Sequence, residues 1–162
     1  MKKIIIIMGV SGSGKSTLGN TISKALSMPF IEGDDYHSKS NIKKMKNAIP
    51  LTDKDREPWL LSLSKELSNH KKNGAVLACS ALKISYRKLL SHFLLKKSIL
   101  WVYLDCNLKE LKKRIVNRDH FMPISLLESQ LNTLEKPKDA LYLKSSLSIS
   151  EMIKRVKIEI NE

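Results

Sequence analysis

The sequence predicts an α/β protein with a parallel sheet at its centre, and three observations lead to this fold class. The apolar, mostly β-branched run Ile4–Met8 is typical of a buried parallel strand. A glycine-rich loop follows it, and residues 17–26 then alternate apolar and polar side chains at helical spacing. Strand-like and helix-like segments alternate along the rest of the chain, which indicates a sheet covered by helices on both faces through right-handed crossovers.

The elements of the first half follow from apolar runs and capping signals. Residues 29–31 form a short apolar run that predicts a second strand, and the Lys- and Asn-rich residues 38–48 predict a polar helix that ends near Pro50. The segment Thr52-Asp53-Lys54-Asp55 resembles a capping box and predicts the start of the next helix. The apolar positions of that helix recur at helical spacing, and Asn73-Gly74 ends it; these positions are Trp59, Leu60, Leu63 and Leu67.

The second half continues the alternation. We expect strands over residues 75–79 and 99–104, and a short fifth strand over residues 147–149. We expect helices over residues 84–95, 108–116, 124–134 and 151–160. At 162 residues the chain has the size of one ordinary domain, so a single domain over residues 1–162 is predicted.

The loop after the first strand has the form G-x-x-x-x-G-K-[ST], the P-loop. Its residues are Gly9, Val10, Ser11, Gly12, Ser13, Gly14, Lys15 and Ser16, followed by Thr17. Glycines allow consecutive backbone N–H groups to face an anion, Lys15 can reach terminal phosphates, and the Ser16 hydroxyl can ligate Mg²⁺. The alternative is a glycine-serine connection that merely links a strand to a helix. Because both flanks match the motif, we interpret the loop as a nucleoside triphosphate site.

Three further residues are candidates for phosphoryl-transfer chemistry. Asp34 follows the second predicted strand, where it could accept a proton or hold Mg²⁺ through water, although aspartate is also common in ordinary turns. Arg114 and Arg118 are four residues apart and share one helix face. A lid over about residues 114–124 would bring these arginines to the phosphates; a solvated helix with two surface arginines is the competing interpretation.

Composition and charge limit the other classes of function. No apolar run is long enough to span a membrane, and two cysteines, Cys79 and Cys106, are too few for a disulfide framework, so a cytoplasmic protein is expected. Cys79 lies in an apolar run and is interpreted as a small buried hydrophobic residue. The histidines show no spacing typical of a zinc site.

The net charge of +13 fits a lysine-rich surface around a polyphosphate substrate, and we expect no nucleic-acid partner. A nucleotide-dependent nucleic-acid-binding protein is the alternative from another class.

A set of short motifs in a fixed order resembles the gluconokinase family of the short P-loop type, over roughly residues 4–150. The motifs are the P-loop, Gly33-Asp34-Asp35-Tyr36-His37, Asn41-Ile42-Lys43-Lys44-Met45, Pro50-Leu51-Thr52-Asp53-Lys54-Asp55-Arg56-Glu57-Pro58-Trp59-Leu60, Cys79-Ser80-Ala81-Leu82-Lys83 with Tyr86-Arg87, and Arg114 to Arg118 with His120-Phe121-Met122. A P-loop alone is common to many proteins. The combination is more specific, because folding a sheet does not require it.

The resemblance implies transfer of the ATP γ-phosphoryl group to the 6-hydroxyl of D-gluconate, with Mg²⁺. It also implies a three-layer P-loop kinase fold, similar to nucleoside monophosphate kinases, with a five-stranded parallel sheet and a lid, and it suggests a homodimer. Asp34 is implied at the acceptor hydroxyl and Arg118 as the lid arginine. The residues implied around the sugar acid are His37, Arg56, Ser80, Lys83 and Arg87.

Two features test this resemblance. Ser38 stands where the family usually has proline, and the segment near Asp119 also departs from the family pattern.

The competing enzyme class is a shikimate kinase or a nucleoside monophosphate kinase. In a shikimate kinase we would expect a glycine triplet at Ser80-Ala81.

Overall fold

The computed structural model describes residues 4–117 and 125–161. Its strands form one five-stranded parallel sheet in the order β2-β3-β1-β4-β5. The strands are β1 (Ile4–Met8), β2 (Phe30–Glu32), β3 (Ala75–Ala78), β4 (Ile99–Asp105) and β5 (Leu141–Lys144). The predicted sheet, its parallel direction and its strand number are confirmed.

Helices cover both faces of this sheet. They are α1 (Lys15–Leu26), α2 (Lys39–Lys46), α3 (Asp53–Asn69), α4 (Ile84–Leu90), α5 (Leu108–Val116), α6 (Leu126–Thr133) and α7 (Ile149–Asn161). The described residues also form two short 3-10 turns, Gly33–Tyr36 and Lys96–Ser98. None of the helices in the described part of the chain is long and apolar enough to cross a membrane.

The alternation of side chains along β1 divides the core into two halves. Ile5 and Ile7 face α1 and α7, whose buried residues include Ile22 and Val156. Ile4, Ile6 and Met8 face the opposite layer, which is formed by side chains of α3, α4, α5 and α6. All five residues of β1 are fully buried, as expected for the central strand of a sheet covered on both faces.

The capping box predicted at the start of α3 is confirmed. The Asp55 N–H donates to the Thr52 hydroxyl at 3.2 Å, and the Thr52 N–H donates to the Asp55 carboxylate at 2.8 Å. Two orphan backbone donors at the start of the helix are thereby satisfied. The pKa of Asp55 falls to about 2, because Lys44 and then Thr52 hydrogen-bond its carboxylate.

Two predicted elements are wrong in position or length. The fifth strand is β5, not residues 147–149, because the Ser148 hydroxyl accepts from the Glu151 N–H at 3.2 Å and starts α7 there. Only Leu143 of β5 is buried, so this short edge strand lacks the apolar run that marks the others. Helix α4 ends at Leu90 rather than residue 95, since tight turns follow it and the Phe93 N–H donates to the Ser64 hydroxyl at 3.1 Å.

The strand order places the P-loop beside the turn that follows β3. Strands β1 and β3 are neighbours, and the Gly9 N–H donates to the Ser80 carbonyl at 3.3 Å just beyond their carboxyl ends. The chain changes direction across the sheet at this point, since β2 and β3 lie on one side of β1 and β4 lies on the other. Open α/β sheets bind ligands at such a point.

Candidate active site

The P-loop wraps around the start of α1. Gly12 and Gly14 have φ values of 81° and 100°, a left-handed conformation that favours glycine, and the helix begins at Lys15. The Lys15 ammonium donates to the Val10 carbonyl at 3.0 Å, so it spans the loop. Arg114 of α5 donates to the carbonyls of Gly12 and Ser13 at 3.4 and 3.2 Å. Helix α5 therefore brings one predicted arginine to the loop.

A residue of α6 holds the P-loop from the opposite side. The Gln130 side-chain oxygen accepts a hydrogen bond of 2.7 Å from the Ser11 N–H, and both residues are buried. A buried N–H without an acceptor costs about 1–3 kcal/mol, so this bond fixes the loop conformation. Among the described residues the Ser13 hydroxyl is buried without a hydrogen-bond partner.

The Ser16 hydroxyl faces a carboxylate that sequence reasoning did not single out. Ser16 hydrogen-bonds the side chain of Glu32, the last residue of β2. Burial raises the pKa of Glu32, and the nearby Asp34 carboxylate adds to the rise. A hydroxyl and a carboxylate beside a phosphate loop are hard oxygen ligands, the type that Mg²⁺ takes with water and phosphate oxygens. The donor set therefore fits Mg²⁺, although the described residues contain no cluster of three or more carboxylate, histidine or cysteine ligands.

Asp34 lies in the 3-10 turn directly after β2. The turn approaches β3 so closely that a Cβ on Gly33 would lie 2.5 Å from the Ala78 carbonyl oxygen, and this contact requires glycine. Trp59 of α3 donates from its indole nitrogen to the Gly33 carbonyl at 2.8 Å. These contacts place the Asp34 carboxylate in the same cleft as Lys15 and Ser16.

His37 packs behind Asp34 as a neutral ring. Its imidazole stacks on the Trp59 indole with ring centroids 3.9 Å apart, and its side chain is 4% exposed. Burial lowers the pKa of His37 to about 4, and the Arg56 charge adds to this effect against the opposing influence of Asp34. The His37 Nε2 atom lies 3.8 Å from the Asp34 Oδ1 atom. His37 can therefore act as a neutral donor toward the cleft.

Arg56 supplies a guanidinium group to the cleft. It hydrogen-bonds the Leu51 carbonyl, and its guanidinium carbon lies 5.2 Å from the centre of the Tyr86 ring. Stacking on an aromatic face orients the planar fork of an arginine. Arg56 can thus present donors to a carboxylate while its plane stays fixed.

The turn after β3 presents Ser80 to the cleft and is held by Arg87. Ala81 adopts a left-handed φ of 45°. Arg87 donates to the carbonyls of Ala81, Leu82 and Glu135 at 2.8, 3.2 and 3.0 Å. In this structure Arg87 supports the turn and does not line the cleft.

Lys83 also lies away from the cleft lining. Its ammonium is 3.2 Å from the Asp53 carboxylate, and this hydrogen bond raises the pKa of Lys83. Tyr86 donates to the same carboxylate at 2.5 Å. Of the residues implied around a sugar acid, the structure therefore brings His37, Arg56 and Ser80 to the cleft and leaves Lys83 and Arg87 outside its lining.

One continuous cleft joins the P-loop to the Asp34 turn. Its lining includes Ser11, Gly12, Gly14, Lys15, Ser16, Glu32, Asp34, His37, Arg56, Trp59, Ser80, Leu126, Ser129 and Gln130. A second depression adjoins the other side of the P-loop, and its lining includes Ser13, Thr17, Arg114, Ser145 and Leu147. Arg118, His120 and the part of the predicted lid beyond residue 117 fall outside the described residues.

Cys79 is not available for chemistry in this cleft. Burial raises the pKa of its thiol to about 12, and the residue is 2% exposed. The prediction that Cys79 is a small buried hydrophobic residue is confirmed.

Comparisons with known proteins agree with this geometry. A family model described as shikimate kinase matches residues 11–161. A gluconokinase of Gluconobacter oxydans is 46% identical over 85% of this chain and 78% of its own length. A gluconokinase of Arabidopsis thaliana is 40% identical over 91% of this chain and 86% of its own. This chain belongs to the gluconokinase family. The solved gluconokinase of Sinorhizobium meliloti superposes with a TM-score of 0.86 at 39% identity, over 98% of this chain and 91% of that one.

The one departure from the gluconokinase pattern that lies in the described residues has a structural explanation. Ser38 replaces the usual proline, and its hydroxyl accepts from the Asn41 N–H at 3.1 Å as the cap of α2. A serine cap stabilises the start of a helix, so the substitution preserves the local structure. The second departure, near Asp119, lies outside the described residues.

Two residues that line the cleft were missed by sequence reasoning. Glu32 directly precedes Gly33 and Asp34, and its place at the carboxyl end of β2 is the signal that could have identified it. Gln130 carried no local signal, because its contact with Ser11 joins positions 119 residues apart. Only the packing of α6 against the P-loop reveals it.

Proposed function

We propose that this protein transfers the γ-phosphoryl group of ATP to the 6-hydroxyl of D-gluconate. One observation carries the proposal: a single cleft is lined by the phosphate loop, the Asp34 carboxylate and the Arg56 guanidinium. A phosphoryl acceptor that carries both a hydroxyl and a carboxylate fits this set of groups. The relatives named gluconokinase support the same substrate.

The proposed reaction is an in-line displacement. The 6-hydroxyl oxygen attacks the γ-phosphorus, the bond from that phosphorus to the β,γ-bridging oxygen breaks, and ADP leaves. The hydroxyl proton passes to the Asp34 carboxylate. Lys15 and the P-loop N–H groups stabilise the charge that develops on the phosphoryl oxygens. We assign Arg118 to the same charge, as the lid arginine.

Mg²⁺ fits beside the Ser16 hydroxyl and the Glu32 carboxylate. When bound, it would neutralise charge on the β- and γ-phosphates. Glu32 keeps the Ser16 hydroxyl oriented through their hydrogen bond. Asp34 lies in the same cleft and could contact the ion through water.

In this proposal the sugar acid and the nucleoside of ATP occupy opposite sides of the P-loop. Arg56 binds the gluconate carboxylate, while His37 and Ser80 bind hydroxyl groups. Arg87 contributes by holding the turn that carries Ser80, and Lys83 contributes by pairing with Asp53 at the start of α3. The depression between Thr17, Arg114 and Leu147 accepts the nucleoside of ATP.

A substrate panel with matched variants tests this function. Wild-type protein should phosphorylate D-gluconate with MgATP and strongly prefer it to glucose, which has the 6-hydroxyl but no carboxylate. Arg56→Ala should shrink that preference by roughly a hundredfold, since loss of a charged partner costs about 2–5 kcal/mol. Lys54→Ala, an exposed cation on the same helix, is the control and should leave it unchanged.

Two results would contradict the proposal. Turnover of shikimate or a nucleoside monophosphate in place of gluconate would move the protein to the competing enzyme class. An unchanged preference in Arg56→Ala would assign carboxylate recognition to another cation, with Lys83 and Arg87 as the next candidates.

We further propose a cytoplasmic homodimer that does not bind nucleic acid. Light scattering after size exclusion measures the mass of the assembly, and a monomer would contradict the dimer. A salt titration of binding to duplex DNA and RNA tests the nucleic-acid alternative, because phosphate contacts give a steep dependence on salt.

A further inference from the structure

Asn41 is a buried polar residue that the proposed reaction does not use. It lies in the first turn of α2, is 4% exposed, and is placed there by the Ser38 cap. Its side-chain nitrogen lies between the Asp55 carbonyl oxygen at 2.9 Å and the His37 Nδ1 atom at 3.4 Å. Asn41 therefore connects the start of α3 to the ring that lies behind Asp34.

These two contacts determine which atom of the Asn41 amide faces His37. A backbone carbonyl oxygen only accepts hydrogen bonds, so the atom that faces the Asp55 carbonyl is the NH₂ group. The reversed amide would place two acceptor oxygens 2.9 Å apart. The same NH₂ group has a second hydrogen and no lone pair to accept with, so across the 3.4 Å to the His37 Nδ1 atom it can only be the donor.

The tautomer of His37 follows from this assignment. A nitrogen that accepts a hydrogen bond carries no proton, so the single proton of the neutral ring is on Nε2. The ring cannot exchange its two nitrogens easily, because it is stacked on Trp59, which is itself fixed to the Gly33 carbonyl. Nε2 lies on the side of Asp34, 3.8 Å from its Oδ1 atom.

We propose that Asn41 is a positioning residue for the reaction: by donating to Nδ1 of His37 it keeps the ring proton on Nε2, so that His37 presents an N–H donor to Asp34 and the acceptor hydroxyls. The proposal rests on the proposed function and deepens it. A donor at one Asp34 oxygen leaves the other oxygen to take the proton of the attacking hydroxyl. At 3.8 Å the His37 Nε2 and Asp34 Oδ1 atoms are beyond hydrogen-bond distance, and we expect the contact to shorten when substrate binds, because catalytic hydrogen bonds are often long in the ligand-free state.

The neighbouring residues show why this Asn41 amide is held firmly. Lys44, on the same helix, donates to both carboxylate oxygens of Asp55 at 2.9 Å. The Asp55 side chain also belongs to the capping box of α3. Two side chains of α2 thus join it to Asp55 of α3: Asn41 contacts the backbone carbonyl, and Lys44 contacts the carboxylate. Asn41 and Lys44 of the motif Asn41-Ile42-Lys43-Lys44-Met45 thereby acquire a physical role.

The experiment measures the His37 ring nitrogens directly. Long-range ¹H–¹⁵N spectra of the full-length, ligand-free protein at pH 7.5 distinguish protonated from unprotonated ring nitrogens, and a His37→Gln spectrum assigns the signals. Wild type should show an unprotonated Nδ1 and a protonated Nε2. Asn41→Asp replaces the donor with an acceptor, so Nδ1 should become protonated. The kcat of the same variant for gluconate should fall roughly a hundredfold, because misplacing a reacting group by about 1 Å has an effect of this size. Its KM for ATP should stay within twofold of wild type.

Asn47→Asp is the matched control, because it makes the same change on an exposed residue at the end of α2. It should leave both the ring signals and the kinetics as in wild type. A protonated Nδ1 in wild type would overturn the proposal without any variant, and so would an unprotonated Nδ1 in folded Asn41→Asp. If Asn41→Asp does not fold, the wild-type spectrum still decides.

The spectra test the tautomer of His37, and the substrate panel tests the reaction, so the two results are independent. The ring signals are measured without substrate, whereas the substrate panel is measured on wild type. If the protein has the expected tautomer but does not phosphorylate sugar acids, the proposed function is contradicted. The role of Asn41 in fixing the position of the His37 ring proton is then still supported.

Discussion

At the scale of single residues, His37 couples the stability of the folded protein to pH. Its ring is buried against Trp59, and this burial holds its pKa near 4, whereas an unfolded histidine titrates near 6.5. Between these two values the unfolded chain binds a proton that the folded chain excludes. The free energy of unfolding therefore falls as the pH falls from about 6.5 to about 4, and the contribution is complete above that window.

We expect this effect to be measurable as a difference between wild type and His37→Gln. A shift of this size corresponds to a loss on the order of 3 kcal/mol across the window. Urea unfolding at pH 7 and pH 4 should show wild type losing more stability than His37→Gln, because Glu32, Asp55 and the other titrating groups are common to both proteins. Equal losses in the two proteins would mean that His37 titrates as it does in the unfolded chain.

At the scale of elements, helix α6 controls the conformation of the P-loop. Its Gln130 accepts from the Ser11 N–H, and its Leu126 packs with Met45 of α2 and Leu51. Helix α6 thus contacts both the phosphate loop and the segment that leads to Arg56. A movement of α6 would change both ends of the cleft together.

Substitution of Gln130 tests this link. Gln130→Leu removes the acceptor of a buried N–H, so we expect a loss of about 1–3 kcal/mol in the free energy of unfolding and a higher KM for ATP. Gln130→Glu keeps an acceptor but adds a negative charge beside the phosphates, so its stability should stay near that of wild type while ATP binding weakens. Chemical unfolding and steady-state kinetics measure the two effects.

Asn132→Leu is the control for this pair, because Asn132 is an exposed residue of the same helix. It should change neither stability nor KM for ATP appreciably. If Gln130→Leu matched Asn132→Leu in both measurements, the hydrogen bond to Ser11 would have no role in holding the loop.

At the scale of the whole molecule, the parts that the sequence predicts well are those with a local physical signal. The P-loop, β1 and α1 are adjacent in the chain. The glycines, the β-branched run and the helical spacing that identify them can be recognised without knowing how the rest of the chain folds. The capping box of α3 is equally local. Strand β5 was misplaced because it is a short edge strand with one buried residue, and an apolar pair at the start of α7 gave a stronger pattern.

The site could be predicted in residue type but not in arrangement. Motif resemblance pointed to Asp34, Arg56 and Lys83 together, yet only the folded chain shows that Lys83 pairs with Asp53 while Arg56 reaches the cleft. The contact between Gln130 and Ser11 has no local pattern at all. Long-range polar contacts depend on how helices pack on the sheet, and spacing along one segment carries no information about that packing.

Nucleotide binding should stabilise the whole fold. A ligand that binds only the folded state at a hundred times its Kd raises the free energy of unfolding by about 2.7 kcal/mol. For a chain of this size that corresponds to a rise of roughly 5–10 °C in Tm. Lys15→Met keeps the side-chain length but removes the charge facing the phosphates. A tenfold weaker Kd at the same MgATP concentration would cut the stabilisation to about 1.4 kcal/mol.

Thermal unfolding with and without MgATP measures this difference, and Lys24→Met is the matched control because Lys24 is exposed in the last turn of the same helix. Without nucleotide, Lys24→Met should unfold at the temperature of wild type, and Lys15→Met slightly lower because it loses the hydrogen bond to the Val10 carbonyl; each protein's gain is therefore measured from its own nucleotide-free Tm. With MgATP, Lys24→Met should gain as much as wild type, and Lys15→Met about half. A full gain in Lys15→Met would show that the ammonium contributes nothing to phosphate binding, and the charge stabilisation assigned to the P-loop would then have to come from its backbone N–H groups and arginines alone.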